Sequence, residues 1–182
     1  MSSKHTRKAL FLDRDGVINI DTDYTHKIED IVFIDGIFEL ARYAKTIGYE
    51  LFIITNQAGI GRGVYTEAEY ELAKNYIEDN FKKHQASIAR TYHCPFHPGH
   101  GIGKYKVDSS FRKPNPGMIL QARDEFGIDL GNSIIIGDRE TDIEAGINAG
   151  IKTKILFKPK YPDEKTKADI VVNNLLQIKE YL

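Results

Sequence analysis

Residues 9–19 read ALFLDRDGVIN: four apolar residues, Ala9 to Leu12, run straight into Asp13, Arg14, Asp15 and Gly16. A short continuous apolar run suits a strand buried on both faces, as in a parallel sheet covered by helices. The polar residues that follow mark the strand's carboxyl end, where open α/β sheets bind ligands. The same grammar recurs further on. Leu51 to Ile54 lead into Thr55, Asn56 and Gln57, and Ser133 to Ile136 lead into Gly137 and Asp138. Three buried strands that each end in polar residues, two of them with acids, are hard to explain by packing, because Asp is rarely buried unpaired.

Helix-period segments lie between these runs, which predicts an α/β domain with a parallel sheet. Ile37, Leu40, Ala41, Ala44 and Ile47 share a helical face, and Gly48 follows as a C-terminal cap. Thr66 and Glu69 form a capping-box pattern, with Leu72, Ala73, Tyr76, Ile77 and Phe81 predicted on one face. Thr91 to Cys94 are expected to end a third strand. Asn115 and Pro116 read as a cap and first helical position before Met118, Ile119, Ala122 and Phe126. A helix is expected from about Glu140 to Ala149, closed by Gly150. Late strands are expected at Thr153 to Phe157 and Ile170 to Val172, and Asn173 is expected to cap a last helix. The stretch from Pro95 to Pro114 has no period. A loop of that length inside a compact domain is either functional or a mobile surface loop.

The chain's 182 residues favour one domain, 1–182, with a loop insert at about 93–113. Apolar residues make up 41% and charged residues 28%, as in an ordinary globular protein. The net charge of −1 and the scattered Lys and Arg disfavour a nucleic-acid partner. Cys94 is the one cysteine, so no internal disulfide forms. Met1 to Lys8 are polar and unlike a signal peptide, and no apolar run reaches the length of a membrane span. The expectation is a cytoplasmic monomer with no membrane partner.

DRDGVIN (Asp13 to Asn19), TNQ (Thr55 to Gln57), Lys113-Pro114 and GDRETD (Gly137 to Asp142) together resemble the four motifs of the haloacid dehalogenase superfamily, in its order. The match covers about residues 8 to 150. TNQAGIGRG (Thr55 to Gly63) and RKPNPGM (Arg112 to Met118) are similar to the heptose bisphosphate and histidinol phosphatase branch. The resemblance implies a Rossmann-like three-layer sandwich with a mostly parallel sheet and no large cap domain, since only about forty residues separate Asp13 from Thr55. It implies a magnesium-dependent phosphatase with Asp13 as nucleophile and Asp15 as general acid and base. Family members that keep the phosphoryl-enzyme tend to lack an acid at the position of Asp15, so its presence favours hydrolysis. Asp13, the backbone carbonyl of Asp15, and Asp138 would hold Mg2+, which suits hard oxygen ligands. Thr55 would bind a phosphoryl oxygen and Lys113 would neutralise the transferring group. Asp142 reads either as support from the following helix or as a helix-surface charge.

A capless site leaves substrate choice to nearby loops. Asp21 to Tyr24 match a substrate-contacting stretch of the heptose branch, and Arg112 matches a position that recognises the second phosphate or sugar; an arginine fork suits that task. The substrate-binding set is Asp21, Tyr24, Asn56, Gln57, Arg62 and Arg112. GIGRG (Gly59 to Gly63) lacks the lysine and spacing of a phosphate loop and reads as a flexible turn. Relatives often hold structural zinc in the long loop, but Phe96, Ser109 and Phe111 stand where the other ligands belong. A zinc-free loop packed by Tyr92, Phe96, Tyr105 and Phe111 is therefore expected. A rearranged site of His93, His97 and His100 around Cys94 is the alternative. The substrate expected is a small sugar phosphate, D-glycero-D-manno-heptose 1,7-bisphosphate, cleaved at carbon 7 for bacterial surface polysaccharide. Histidinol phosphate and a catalytically silent interaction domain stand as the other readings.

Overall fold

The computed structural model describes residues 7–158 and 165–182. Met1 to Thr6 of the polar N-terminal segment lie outside the described residues. Six strands form one sheet: β1 (Lys8–Leu12), β2 (Tyr49–Asn56), β3 (Arg90–Cys94), β4 (Ile134–Gly137), β5 (Thr153–Phe157) and β6 (Ile170–Val172). Their order is β3-β2-β1-β4-β5-β6, and all five neighbour pairs are parallel. The order reverses beside β1, so the ends of β1, β2 and β4 open onto the crevice at the switch point.

Side chains alternate across the sheet as the strand period requires. Leu10, Leu12, Leu51, Ile53, Ile134 and Ile136 face one layer, with α1 (Ile37–Thr46), α3 (Glu67–Lys83) and a 3-10 helix over Leu175–Tyr181. Ala9, Phe11, Phe52, Ile54 and Ile135 face the other, with α4 (Gly117–Phe126) and α5 (Glu140–Ala149). Both faces are dry, which is why the strands read as unbroken apolar runs.

The Thr66–Glu69 capping box is formed, but Leu72 is 61% exposed and does not share the buried face of Ala73, Ile77 and Phe81. At 100° per residue it has rotated off the stripe that Tyr70, Ala73 and Ile77 define. α4 starts one residue later than expected, with Pro116 rather than Asn115 as its cap, while Asn115 donates to the Ser109 carbonyl. Asn174, not Asn173, caps the last helix, its Oδ1 accepting from the Leu176 N–H. β4 begins at Ile134 because Ser133 turns its hydroxyl inward to accept from the Ala9 N–H.

Between β1 and β2 there is no large cap. Residues 18–20 pair with 32–34 through Ile20 N–H to Val32 O and Ile34 N–H to Ile18 O, forming a short flap at the crevice. The 95–114 loop is pinned by main-chain bonds, including Ile102 N–H to Gly61 O and His97 N–H to Tyr105 O. Phe96 and Phe111 pack on the cluster that holds Tyr92 and Cys94, whereas Tyr105 packs on Ile60, Tyr65 and Tyr70. No helix among the described residues is long and apolar enough to cross a membrane.

Candidate active site

Asp13 leaves β1 with its N–H still bonded to Ile136 O of β4, so its carboxylate stands at the sheet edge beside Asp138. Asp142 reaches the same point from the first turn of α5. There its Oδ2 accepts from the Arg139 N–H at 3.1 Å while the Asp142 N–H donates to Arg139 O at 3.0 Å. Carboxylate oxygens of Asp13, Asp138 and Asp142 lie within 4.8 Å of one another, and all three residues are buried. Gly16 makes this possible. Its φ is +94°, and a Cβ there would lie 2.3 Å from an Asp138 carboxylate oxygen.

Lys113 is the counter-charge. Its ammonium lies 2.7 Å from Asp13 Oδ1, 2.6 Å from Asp142 Oδ1 and 2.9 Å from Ile54 O, which uses all three N–H donors. Burial works against its charge, but Asp13 and Asp142 outweigh that and its pKa rises. Burial pushes Asp13 up to about 7, with Lys113 opposing. Burial, then the charges of Asp13 and Asp142, push Asp138 up to about 8. Lys113 pairs with two of the three carboxylates; Arg139 Nε lies 3.9 Å from the third, Asp138, whose Oδ1 is buried with no hydrogen-bond partner. This donor set of hard oxygens with an orphan acceptor fits a magnesium-sized cation.

The Asp15 side chain turns away from the triad. It accepts from Arg14 through both carboxylate oxygens at 3.0 Å, from Asn19 at 2.9 Å and from Gln57 at 3.1 Å. Thr55 is buried at the end of β2, 2.8 Å from Gln57 Nε2.

A cavity of about 390 Å3 opens in front of these groups. Asp13, Asp15, Thr55 and Lys113 line it, as do Asp21, Tyr24, Asn56, Gln57, Arg62 and Arg112. Two of the expected substrate contacts have their amides committed elsewhere. Asn56 clamps the main chain of Lys113, accepting from its N–H at 3.0 Å and donating to its C=O at 3.1 Å. Gln57 bonds Asp15, Thr55 and Tyr65. Asp21 pairs with Arg139 at 2.9 Å, and Arg62 donates to the Tyr24 hydroxyl at 2.6 Å. Tyr24 and its neighbour Asp23 both have positive φ, as in a tight turn.

Sequence reasoning left Asp142 as support from the helix or as a helix-surface charge; it is buried and paired with Lys113, so it is not a surface charge. The available signal was its place four residues after Asp138 on a first helical turn. Arg139 and Tyr65 also line the cavity and were missed: Arg139 lies inside the GDRETD motif without having been given a role, and Tyr65 belongs to no spacing that marks a site. Among the described residues, the Asp13, Asp138 and Asp142 group is the one His, Cys, Asp and Glu cluster spaced to hold an ion. Around Cys94, His97 uses Nδ1 to accept from the N–H groups of Gly99 and His100, and His93 lies 3.5 Å from Glu67.

A parallel sheet of this order, with carboxylates converging on one buried lysine at its carboxyl edge, defines a HAD-like hydrolase, and a HAD-hydrolase-like family model matches residues 110–178. The D-glycero-alpha-D-manno-heptose-1,7-bisphosphate 7-phosphatase of Burkholderia mallei is 50% identical over 96% of this chain and 93% of its own length. The D-glycero-beta-D-manno-heptose-1,7-bisphosphate 7-phosphatase of Vibrio cholerae is 40% identical over 97% and 96%. On these similarities the chain belongs to the D-glycero-D-manno-heptose-1,7-bisphosphate 7-phosphatase family. A crystal structure of the D,D-heptose 1,7-bisphosphate phosphatase of B. bronchiseptica, complexed with magnesium and phosphate, shares the fold. It superposes with a TM-score of 0.83 at 22% identity, covering 96% of this chain and 97% of that one.

Proposed function

We propose that this protein hydrolyses the 7-phosphate of D-glycero-D-manno-heptose 1,7-bisphosphate, in bacterial heptose supply for surface polysaccharide. The carrying observation is the buried triad of Asp13, Asp138 and Asp142 against Lys113, open to a cavity of sugar-phosphate size. Asp13 attacks phosphorus, forming an acyl phosphate as the bond from phosphorus to the sugar oxygen breaks. Asp15 gives its proton to that leaving oxygen. It then takes a proton from the water that attacks phosphorus, which frees inorganic phosphate and the Asp13 carboxylate. The Thr55 hydroxyl donates to a phosphoryl oxygen. Lys113 offsets the charge on Asp13 and on the transferring group.

Asp13, Asp138 and the backbone carbonyl of Asp15 would hold magnesium, with Asp142 beside them tying Lys113 in place. When bound, the ion screens the carboxylate nucleophile from the phosphate dianion. Arg62 and Arg112 favour a second phosphate at the far side of the cavity. Arg62 Nε is buried without a hydrogen-bond partner, and Arg112 uses one N–H on Phe96 O, leaving fork donors for an anion. That preference works against histidinol phosphate, whose amine is cationic. Asp21 and Tyr24 would meet the sugar. One domain acting as a monomer in the cytoplasm suits this small, polar substrate.

The experiment is phosphate release from both anomers of the heptose bisphosphate and from histidinol phosphate, with phosphorus NMR to assign the phosphate lost. Loss of the 7-phosphate, absent in Asp13→Asn, is expected. Faster release from histidinol phosphate, or retained turnover in Asp13→Asn, would overturn the reading.

A further inference from the structure

We infer that Gln57 and Tyr65 form a positioning pair that sets the acid–base carboxylate and the phosphate-binding hydroxyl together, rather than contacts to the sugar. The inference rests on the phosphatase reading above. Gln57 is buried, and its side-chain amide has three partners. Nε2 spends one hydrogen on Thr55 Oγ1 at 2.8 Å and the other on Asp15 Oδ2 at 3.1 Å. Oε1 accepts from the Tyr65 hydroxyl. No donor of the amide remains for a ligand.

The orientation of that amide is decided from both ends. The Asp15 oxygen that Gln57 meets, Oδ2, also accepts from Arg14 Nε, so it is an acceptor and the NH2 end faces it. Burial pushes the Tyr65 hydroxyl pKa far up, so it stays a donor throughout the working range. The consequence falls on Thr55. With its oxygen already accepting from Gln57, its own O–H is free to rotate toward the cavity and donate to a phosphoryl oxygen. One amide therefore orders a group for each half of the reaction.

Tyr65 is itself held from outside the site. It immediately precedes Thr66, the N-cap of α3, and packs in one buried cluster with Tyr70, four positions after that cap. This is the hydrophobic staple arrangement. Its ring stacks on His26 at 4.8 Å and 9°, and lies so close to Gly59 that a Cβ there would sit 2.1 Å from a ring carbon. The start of α3 thus sets Tyr65, Tyr65 sets Gln57, and Gln57 sets Asp15 and Thr55. The staple alone would be satisfied by phenylalanine; the hydroxyl serves only the amide.

The test uses the full chain with magnesium, heptose bisphosphate and an unrelated alkyl monophosphate such as glycerol 3-phosphate. Tyr65→Phe keeps the ring and should lower kcat about three- to tenfold, the worth of one neutral hydrogen bond, by the same factor on both substrates. Gln57→Leu should lower kcat about ten- to hundredfold, because it strips a donor from both Asp15 and Thr55. KM for the heptose bisphosphate should move less than about twofold in either. The double variant should be no slower than Gln57→Leu alone, because Tyr65 acts only through the amide.

Multiplying losses in the double variant, or a KM rise confined to the heptose substrate, would overturn the pair. If Gln57→Leu fails to fold by circular dichroism, Tyr65→Phe on the two substrates decides alone, and unchanged kcat refutes the inference. An inactive wild type would instead bring down the phosphatase reading, and this inference with it.

Discussion

Replacing Lys113 by methionine keeps the length and removes the charge. In the native site its ammonium contacts Asp13 at 2.7 Å and Asp142 at 2.6 Å, and its exposure is 3%. Taking one partner from a buried ion pair costs about 3–5 kcal/mol, most of it from the anion left behind. Here two carboxylates lose their shared cation, so the upper part of that range applies. The cost depends on pH. Burial already holds Asp13 near about 7 with the lysine present, and removing the lysine raises it further. At about pH 8 the wild-type carboxylate is largely ionised and paired, whereas the variant must either bury bare anions or take up protons. At about pH 5 Asp13 is largely protonated in both, and its share of the deficit disappears.

For a chain of this size each kcal/mol is worth about 2–4 °C, so Tm should fall by about 8–20 °C at pH 8 in EDTA and by clearly less at pH 5. Circular dichroism melts at the two pH values measure this directly. Turnover with magnesium should fall by about 10²–10³-fold. A melting point within about 2 °C of wild type at pH 8, or equal deficits at the two pH values, would refute the role of Lys113 as counter-charge.

The metal-free wild type should itself lose stability as pH rises. Asp13 and Asp138 are raised in the fold to about 7 and about 8, so the stability they carry is full below the ordinary carboxylate range and is lost through those values. Melts in EDTA from about pH 6 to about pH 9 should fall, and added magnesium should restore most at the alkaline end; a flat profile would contradict the burial of three carboxylates. Arg112→Lys should raise KM for the heptose bisphosphate about tenfold while kcat changes less than about twofold, since the fork is lost but the chemistry is untouched; steady-state kinetics would show the opposite split if Arg112 met the transferring phosphate. Gly16→Ala should raise the magnesium concentration for half-activation by at least about tenfold, because its Cβ displaces Asp138 at a position already at φ +94°; an unchanged magnesium titration would count against the shared ion.

Much of the fold was written in local pattern. β5, β6 and α5 lie where periodicity puts them, because continuous apolar runs and a glycine stop leave few alternatives. Leu72 misled because an apolar residue at the edge of a helical stripe looks the same in sequence whether it faces core or water. Asp13, Asp15, Thr55 and Asp138 were legible as polar residues at strand ends and Lys113 only through the motif resemblance, and the geometry gathers them at one sheet edge. The work of Asn56, Gln57 and Tyr65 was not legible. Which amide faces which carboxylate depends on contacts between residues far apart in the chain, such as Asn56 with Lys113 at a separation of 57 residues. A rearranged metal site around Cys94 stood as the alternative to a zinc-free loop because ring nitrogens are counted from sequence, while the commitment of His97 Nδ1 to two backbone N–H groups is not.

The bond between Lys113 and Asp13 closes a span of 100 residues, and Asp142 joins still later in the chain. A growing polypeptide therefore cannot assemble the cation's cradle from its first half. Only when the fourth strand has slotted in beside the first do the acids meet, so a cluster able to hold an ion exists only once the sheet's centre is complete. During synthesis, unfinished chains would carry no competent phosphatase, and magnesium would act as a late clasp on molecules already committed to their native topology.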